Sequence, residues 1–167
     1  MSRTLIALVE DKPGVLARVA GLLRRRAFNI ESLTVGRTQE PGMSQMTIVV
    51  DSDEAAAEKV VQNLNKLINV IHVEDVTEHP LVARNLVLIK VRANGGSRAE
   101  VMQIVDTFRA RVVDVGLDSL VIEATGGEEK LEGLVHVLQP FGIKEMVRGG
   151  RVAMVRGMSR STVLGEC

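Results

Sequence analysis

Gly14 stands where an apolar run gives way to helical spacing, and the amides of Val15, Leu16 and Ala17 follow it. A helix leaves its first-turn N–H groups without intrahelical partners. Together with the positive end of the helix dipole, they form an anion site. Glycine at the entry lets a ligand approach the backbone closely. The anion that fits is the carboxylate of a small amino acid, because no glycine-rich loop and no Lys-Ser/Thr pair follows to cradle a polyphosphate. Asn29, 15 residues later, offers a side-chain donor and acceptor, which is what holding both ends of a zwitterion requires. Each feature also has a plain reading, a strand-to-helix turn at Gly14 and an Asn tolerated at a helix exit. The two gain meaning as a pair. The helix between them is roughly 20 Å long at about 1.5 Å per residue, so one small ligand cannot touch both within a protomer. A two-fold dimer could bring Gly14 of one copy beside Asn29 of the other.

The remaining candidates carry less. His72, His79 and His136 lack close spacing and no second type of metal ligand clusters with them, so no metal site is expected. Arg24, Arg25 and Arg26 read as a solvated helix end that complements the dipole. The alternative, contact with RNA phosphates, is disfavoured by zero net charge, three Phe and no Trp or Tyr, which leave little long-range field or base stacking. Glu10 and Asp11 are neighbours at a strand end and face opposite sides. Ser161, Thr162 and Cys167 have no partner base. A single cysteine rules out an internal disulfide. No nucleophile-and-base set or nucleotide loop assembles, so the pattern is that of a binding module without a cofactor of its own, not an enzyme.

The elements that must position these residues follow from periodicity. Of 167 residues, 46% are apolar, enough for a buried core. Leu5 to Val9 reads as a strand, ended by Asp11-Lys12-Pro13-Gly14. Val15, Val19, Leu22 and Leu23 share a helix face. Phe28 to Thr38 and Met46 to Val50 read as strands about a Pro41-Gly42 turn. Ser52 is expected to cap a helix marked by Ala57, Val60, Val61, Leu64, Leu67 and Ile68, and Val70 to Val76 closes the unit as a strand. The order β-α-β-β-α-β is the ferredoxin-like arrangement. Glu78-His79-Pro80 reads as a linker, after which the order repeats: a strand at Leu86 to Val91, a helix face at Val101, Ile104, Val105 and Phe108, strands at Val112 to Val115 and Leu120 to Ala124, a helix face at Leu131, Leu134, Val135 and Leu138, and a last strand at Ile143 to Met146. The fold class expected is α+β, two tandem βαββαβ units at residues 2–77 and 81–158 with a tail at 159–167. Units of about 75 residues are marginal alone, and open sheets need their edges covered. Both facts favour a homodimer. No run long enough to span a membrane exists, and the N-terminus lacks a signal-peptide pattern, so a cytoplasmic location is expected, with no membrane or nucleic-acid partner.

The string Phe28-Asn29-Ile30-Glu31-Ser32-Leu33-Thr34-Val35 closely resembles the start of the second ACT-domain strand in acetohydroxyacid (acetolactate) synthase small subunits, and Pro13-Gly14-Val15-Leu16-Ala17-Arg18-Val19 resembles their ligand loop and first helix. The likeness continues through Met46-Thr47-Ile48-Val49-Val50, Gln62 to Ile68, Leu86 to Val91, Phe108-Arg109-Ala110, Pro140 to Ile143 and Gly150 to Ala153, nearly the full chain. The resemblance implies an ACT domain followed by a second ferredoxin-like domain. It implies a regulatory, non-catalytic subunit that activates a catalytic subunit using thiamine diphosphate, a divalent metal and FAD. It also implies feedback inhibition by a branched-chain amino acid, usually valine, bound between two ACT domains. Carried over by position, the effector contacts are Asp11, Gly14, Val15, Leu16, Asn29 and Ile30.

Two departures from the family pattern stand out. Ala27 replaces the usual Gly just past the first helix and would carry about 1 kcal/mol or more of strain if its φ is positive. Asp11 replaces the neutral Asn of some relatives, either to bind the effector's ammonium or to face water. The competing reading is a free-standing ACT-type sensor acting on another enzyme or a transcription factor, although no helix-turn-helix is present.

Overall fold

The computed structural model describes residues 1–157, so Ser161, Thr162, Cys167 and the tail at 159–167 lie outside the described residues. The elements are β1 (Ser2–Glu10), α1 (Val15–Arg25), β2 (Asn29–Arg37), β3 (Met43–Asp51), α2 (Glu54–Leu64), β4 (Val70–Asp75), β5 (Leu81–Arg92), α3 (Arg98–Thr107), β6 (Arg111–Val115), β7 (Ser119–Gly126), α4 (Glu128–Leu138), β8 (Ile143–Arg148) and β9 (Val152–Val155). The chain forms two compact units. The first holds Met1–Val82 with the segment from Arg151, and the second holds Ala83–Gly150. By its contacts the described segment 151–157 groups with the first unit, and it includes a strand, β9, that periodicity did not reveal because four residues are too few to carry a pattern.

Each unit is a βαββαβ unit. The first sheet runs β2-β3-β1-β4 and the second β6-β7-β5-β8, with β9 pairing β5. In the first unit β1 pairs antiparallel with β3 from Ser2 opposite Asp51 to Glu10 opposite Met43. Strand alternation sends Leu5, Ala7, Val9, Met46, Ile48 and Val50 to one face, where Val15, Val19, Leu22 and Leu23 of α1 and Val60 and Leu64 of α2 close the core. These are the residues whose helical spacing the sequence displays. In the second unit Val87, Ile89, Val91, Ile122 and Ala124 meet Val101, Val105, Leu131, Leu134 and Leu138 in the same way.

The opposite face of the first sheet has no helix, yet Thr4, Thr47 and Val49 there are buried. The returning segment covers them. The Arg151 N–H donates to Ser32 Oγ at 2.8 Å, Arg151 Nη1 donates to Thr4 Oγ1 at 3.1 Å, and Gln45 Nε2 donates to the Ala153 carbonyl at 3.2 Å. Ser32 and Thr4 both sit beside Val49 in register, so one arginine reaches across neighbouring rows of the sheet.

One capping expectation is corrected. Asp53, not Ser52, caps α2: its carboxylate accepts the Ala56 N–H at 2.7 Å, while Ser52 Oγ donates to the Asp53 carbonyl. Asp53 adopts extended dihedrals at the boundary, and its ionised oxygen is the stronger acceptor for a first-turn amide. The same helix ends at Leu64 rather than running to Ile68, because the Asn65 side chain accepts the Val73 N–H and donates to the Val61 and Val73 carbonyls, joining the helix end to β4.

Candidate functional site

Gly14 is the N-cap of α1 and has φ +86°, ψ −11°. A side chain there would meet nothing within 4 Å, so glycine is required by the left-handed backbone, not by crowding. No side chain caps this helix and its first turn holds no acid, in contrast to α2 with Asp53 and Glu54. The Val15 N–H has only a long bond of 3.4 Å to the Lys12 carbonyl. The Leu16 and Ala17 amides make no hydrogen bond with any described residue. The N-terminus of α1 is therefore an exposed set of donors at the positive end of a helix dipole, with nothing of its own to neutralise it.

The loop before it is anchored from both sides. Glu10 binds Lys12 at 2.8 Å and accepts from Asn69 at 2.9 Å, and these bonds hold its carboxyl below the usual carboxylate range. Asp11 donates its N–H to the Gly42 carbonyl at 2.8 Å, and its carboxylate accepts from Arg37 Nε at 3.1 Å. Both contacts fix the loop to the β2–β3 hairpin. Asp11 thus meets an arginine at the surface, and Arg37 is a neighbour of the candidate site that sequence reasoning did not single out. Its signal was a basic residue at the end of a strand, which is indistinguishable in sequence from a solvated one.

Asn29 opens β2 opposite Asp51. It is exposed, and its side chain makes no hydrogen bond with any described residue. Ile30 beside it packs against the core. The ladder then shifts register between Ile30 and Ser32, a bulge of the kind that re-aims side chains at strand ends. β2 is the outer strand of its sheet and leaves a row of backbone groups for pairing. Val15 is buried and points into the core, whereas Leu16 is 46% exposed beside the free amides.

The structure groups Asp11, Gly14, Val15 and Leu16 at one end of α1 and Asn29 and Ile30 after the other. Eleven residues of helix separate them, about 16 Å of axis. The recesses described on the first unit do not join the two groups. One of 340 Å³ is lined by Arg26, Phe28, Lys59 and Asn63 among others, and one of 280 Å³ by Leu22, Arg25, Arg26 and Asn63. Among the described residues no three His, Cys, Asp or Glu side chains gather as a metal site. His79 lies 3.5 Å from Glu74 at the surface. Among the described residues no helix is long and apolar enough to cross a membrane.

Comparison with known proteins gives a consistent result over the whole described chain. Residues 5–72 match the model of the AHAS small subunit-like ACT domain, and residues 84–157 match that of the small subunit of acetolactate synthase. The chain is 53% identical over 157 residues to a probable acetolactate synthase small subunit of Archaeoglobus fulgidus, covering 94% of this chain and 98% of that protein. It is 53% identical over 156 residues to the acetolactate synthase small subunit of Mycolicibacterium smegmatis, covering 93% and 92%. The crystal structure of the acetolactate synthase small subunit from Thermotoga maritima superposes with a TM-score of 0.86 at 36% identity, covering 93% of this chain and 98% of that one.

Proposed function

The chain belongs to the family of acetolactate synthase small subunits, and from that premise we propose that it senses a branched-chain amino acid, valine foremost, at a site shared by two N-terminal units. It is the regulatory subunit and not the catalytic one. In this reading the catalytic subunit holds the thiamine diphosphate, divalent metal and FAD, and the chain activates it and confers feedback inhibition. The N-terminal unit, within residues 2–77, is the part that dimerises and binds the effector.

One observation carries the reading: the uncapped N-terminus of α1, with Gly14 in the left-handed region and unpaired Leu16 and Ala17 amides. Donors arranged this way suit a carboxylate. Asn29, free and exposed at the far end of the same helix, is the complementary polar group, and β2 as an edge strand supplies the means for two units to associate. Two-fold pairing along β2 would bring the two groups together from different protomers. In that site the effector's carboxylate faces the Gly14–Ala17 amides, its ammonium faces the Asn29 carbonyl oxygen and Asp11, and its aliphatic chain lies against Leu16 and Ile30.

The test combines the full-length chain with its cognate purified catalytic subunit. Acetolactate formation should be absent with the chain alone, rise when the chain is added to the catalytic subunit, and fall again on adding valine. Calorimetry on the chain should give two valines per dimer, one at each of the two symmetry-related shared sites, with the protein dimeric by sedimentation. A monomer that binds valine at full affinity contradicts the shared site.

A further inference from the structure

A trough on the outer surface of the first unit is not part of the amino-acid site. Its larger recess, 340 Å³, lies between the end of α1 and one face of α2, within the ~300–1,000 Å³ range of small-molecule sites. The second, 280 Å³, shares Arg26 and Asn63 with it and extends to Leu22 and Arg25. The recess exists because α2 presents Ala55 and Ala56 where longer side chains would fill it. Its floor is apolar, with Val60 1% and Leu22 8% exposed and Phe28 packed against the core. Neither Gly14 nor Asn29 lines it.

Its rim is cationic and unneutralised. Arg3, Lys12, Arg37, Lys90, Lys144 and Arg148 each pair with a carboxylate. The side chains of Arg25, Arg26 and Lys59 make no hydrogen bond or ion pair with any described residue. The one acid in the lining, Asp53, has its Oδ1 committed to the Ala56 N–H. The position of Arg26 is fixed by the backbone: its N–H bonds the Leu22 carbonyl, and the chain reverses immediately after it at Ala27, φ +56°. Three cations from two elements thus line the two adjoining recesses, with Arg26 common to both. Two of them are arginines, whose planar fork matches phosphate oxygens.

We propose that this trough binds a small multivalent phosphate-bearing anion, held by Arg25, Arg26 and Lys59. The space exceeds what a single monovalent ion requires, and the three cations ask for more than one negative charge. A nucleic-acid strand fits less well, because Phe28 is the one aromatic side chain in the lining and is turned to the core, leaving no platform for stacked bases.

The experiment uses the full chain with inorganic tripolyphosphate as probe. Calorimetry at low ionic strength should give saturable binding that weakens with salt. Arg26→Glu with Lys59→Glu should lower affinity by about tenfold or more without moving the thermal midpoint. Arg109→Glu with Arg111→Glu reverses two other unpaired cations, in the second unit, and should leave affinity unchanged. Amide NMR of the unaltered chain should localise the perturbation to Ala55, Ala56 and Asn63, which decides the matter even where a variant folds poorly. Absence of saturable binding, equal weakening by both charge reversals, or a perturbation centred away from α2 overturns the proposal. Tighter binding of a short single-stranded RNA than of tripolyphosphate would also overturn it, by making the surface a nucleic-acid face.

Discussion

Ala27 and Arg109 occupy the same station in their two units, each the first left-handed residue after a unit's first helix, with φ +56° and +53°. Both complete the same pair of hydrogen bonds. Ala27 donates to the Arg24 carbonyl and Phe28 to that of Leu23; Arg109 donates to the Asp106 carbonyl and Ala110 to that of Val105. This is the Schellman arrangement, in which glycine is the favoured residue. Residues bearing a Cβ pay roughly 1 kcal/mol or more for it.

Ala27→Gly should therefore stabilise the protein. Relief of the left-handed strain outweighs the extra freedom glycine gives the unfolded chain, for a net gain of about 0.5–1 kcal/mol. Urea unfolding would register this as a higher midpoint at unchanged slope. Arg109→Gly should do the same in the second unit. A lower midpoint for both variants would mean that the two φ values are not a source of strain.

Asn29→Ala should weaken valine binding while sparing activation of the catalytic subunit. Losing a hydrogen bond to a charged ligand group costs roughly 1.5–3 kcal/mol, or about 10- to 150-fold in affinity. The side chain has no described partner within the chain, so removing it should not disturb folding. Gly14→Asp should act in the same direction for two reasons, a carboxylate set against the effector's own and a side chain at φ +86°. Valine titrations by calorimetry and inhibition curves measure both. Unchanged affinity in a folded, dimeric Asn29→Ala protein removes Asn29 from the site.

Asp75 ties the stability of the first unit to pH. Burial alone would push its carboxyl upward, but hydrogen bonds from Thr77 and from Arg3 outweigh it and hold the group below its usual range. Arg3, 6% exposed, donates from Nε at 2.7 Å. A depressed folded-state pKa means that the contribution is fully present above the unfolded value and is lost as pH falls through the folded one. Stability should thus be level near neutrality and decline below about pH 4. Asp75→Asn should cost about 1.5–3 kcal/mol at pH 7 and flatten that decline. Some slope should persist, because Glu10, Asp118 and Glu132 are held low by Lys12, Lys144 and Arg148. Chemical denaturation across pH 2.5–7 (about the usable range for carboxylates) tests the sign, and an unaltered slope in Asp75→Asn would reject it.

Ser32→Ala should loosen the returning segment. The Arg151 N–H would lose its acceptor at a half-buried position, a cost of about 1–3 kcal/mol. Hydrogen exchange should rise at Arg151 and Ala153 before the core strands respond. Equal protection in both proteins would mean that the Arg151–Ser32 bond does not hold the segment, which the Thr4 and Gln45 bonds then secure without it.

Much of this protein was legible from the chain alone because its information is local. The spacing of Val15, Val19, Leu22 and Leu23 declares a helix and its buried face, and Gly14 declares the entry. The apolar runs at Leu5 to Val9 and Leu86 to Val91 declare strands, although which face enters the core is seen only in the fold. The repeated order of elements then limits each unit to the ferredoxin-like arrangement. The likeness of residues 13–19 and 28–35 to a known family supplied what periodicity cannot, membership among acetolactate synthase small subunits.

The tertiary structure decided what depends on residues far apart in sequence. That Arg37 meets Asp11, that Arg151 crosses to Ser32 and Thr4, and that Gln45 meets Ala153 are pairings over 26 to 147 positions. No local propensity encodes them, because each is selected by burial and by the need to satisfy polar groups once the sheets exist. The left-handed backbone at Ala27 belongs with these: an alanine gives no hint of it, and only the hydrogen bonds closing α1 onto the start of β2 impose it.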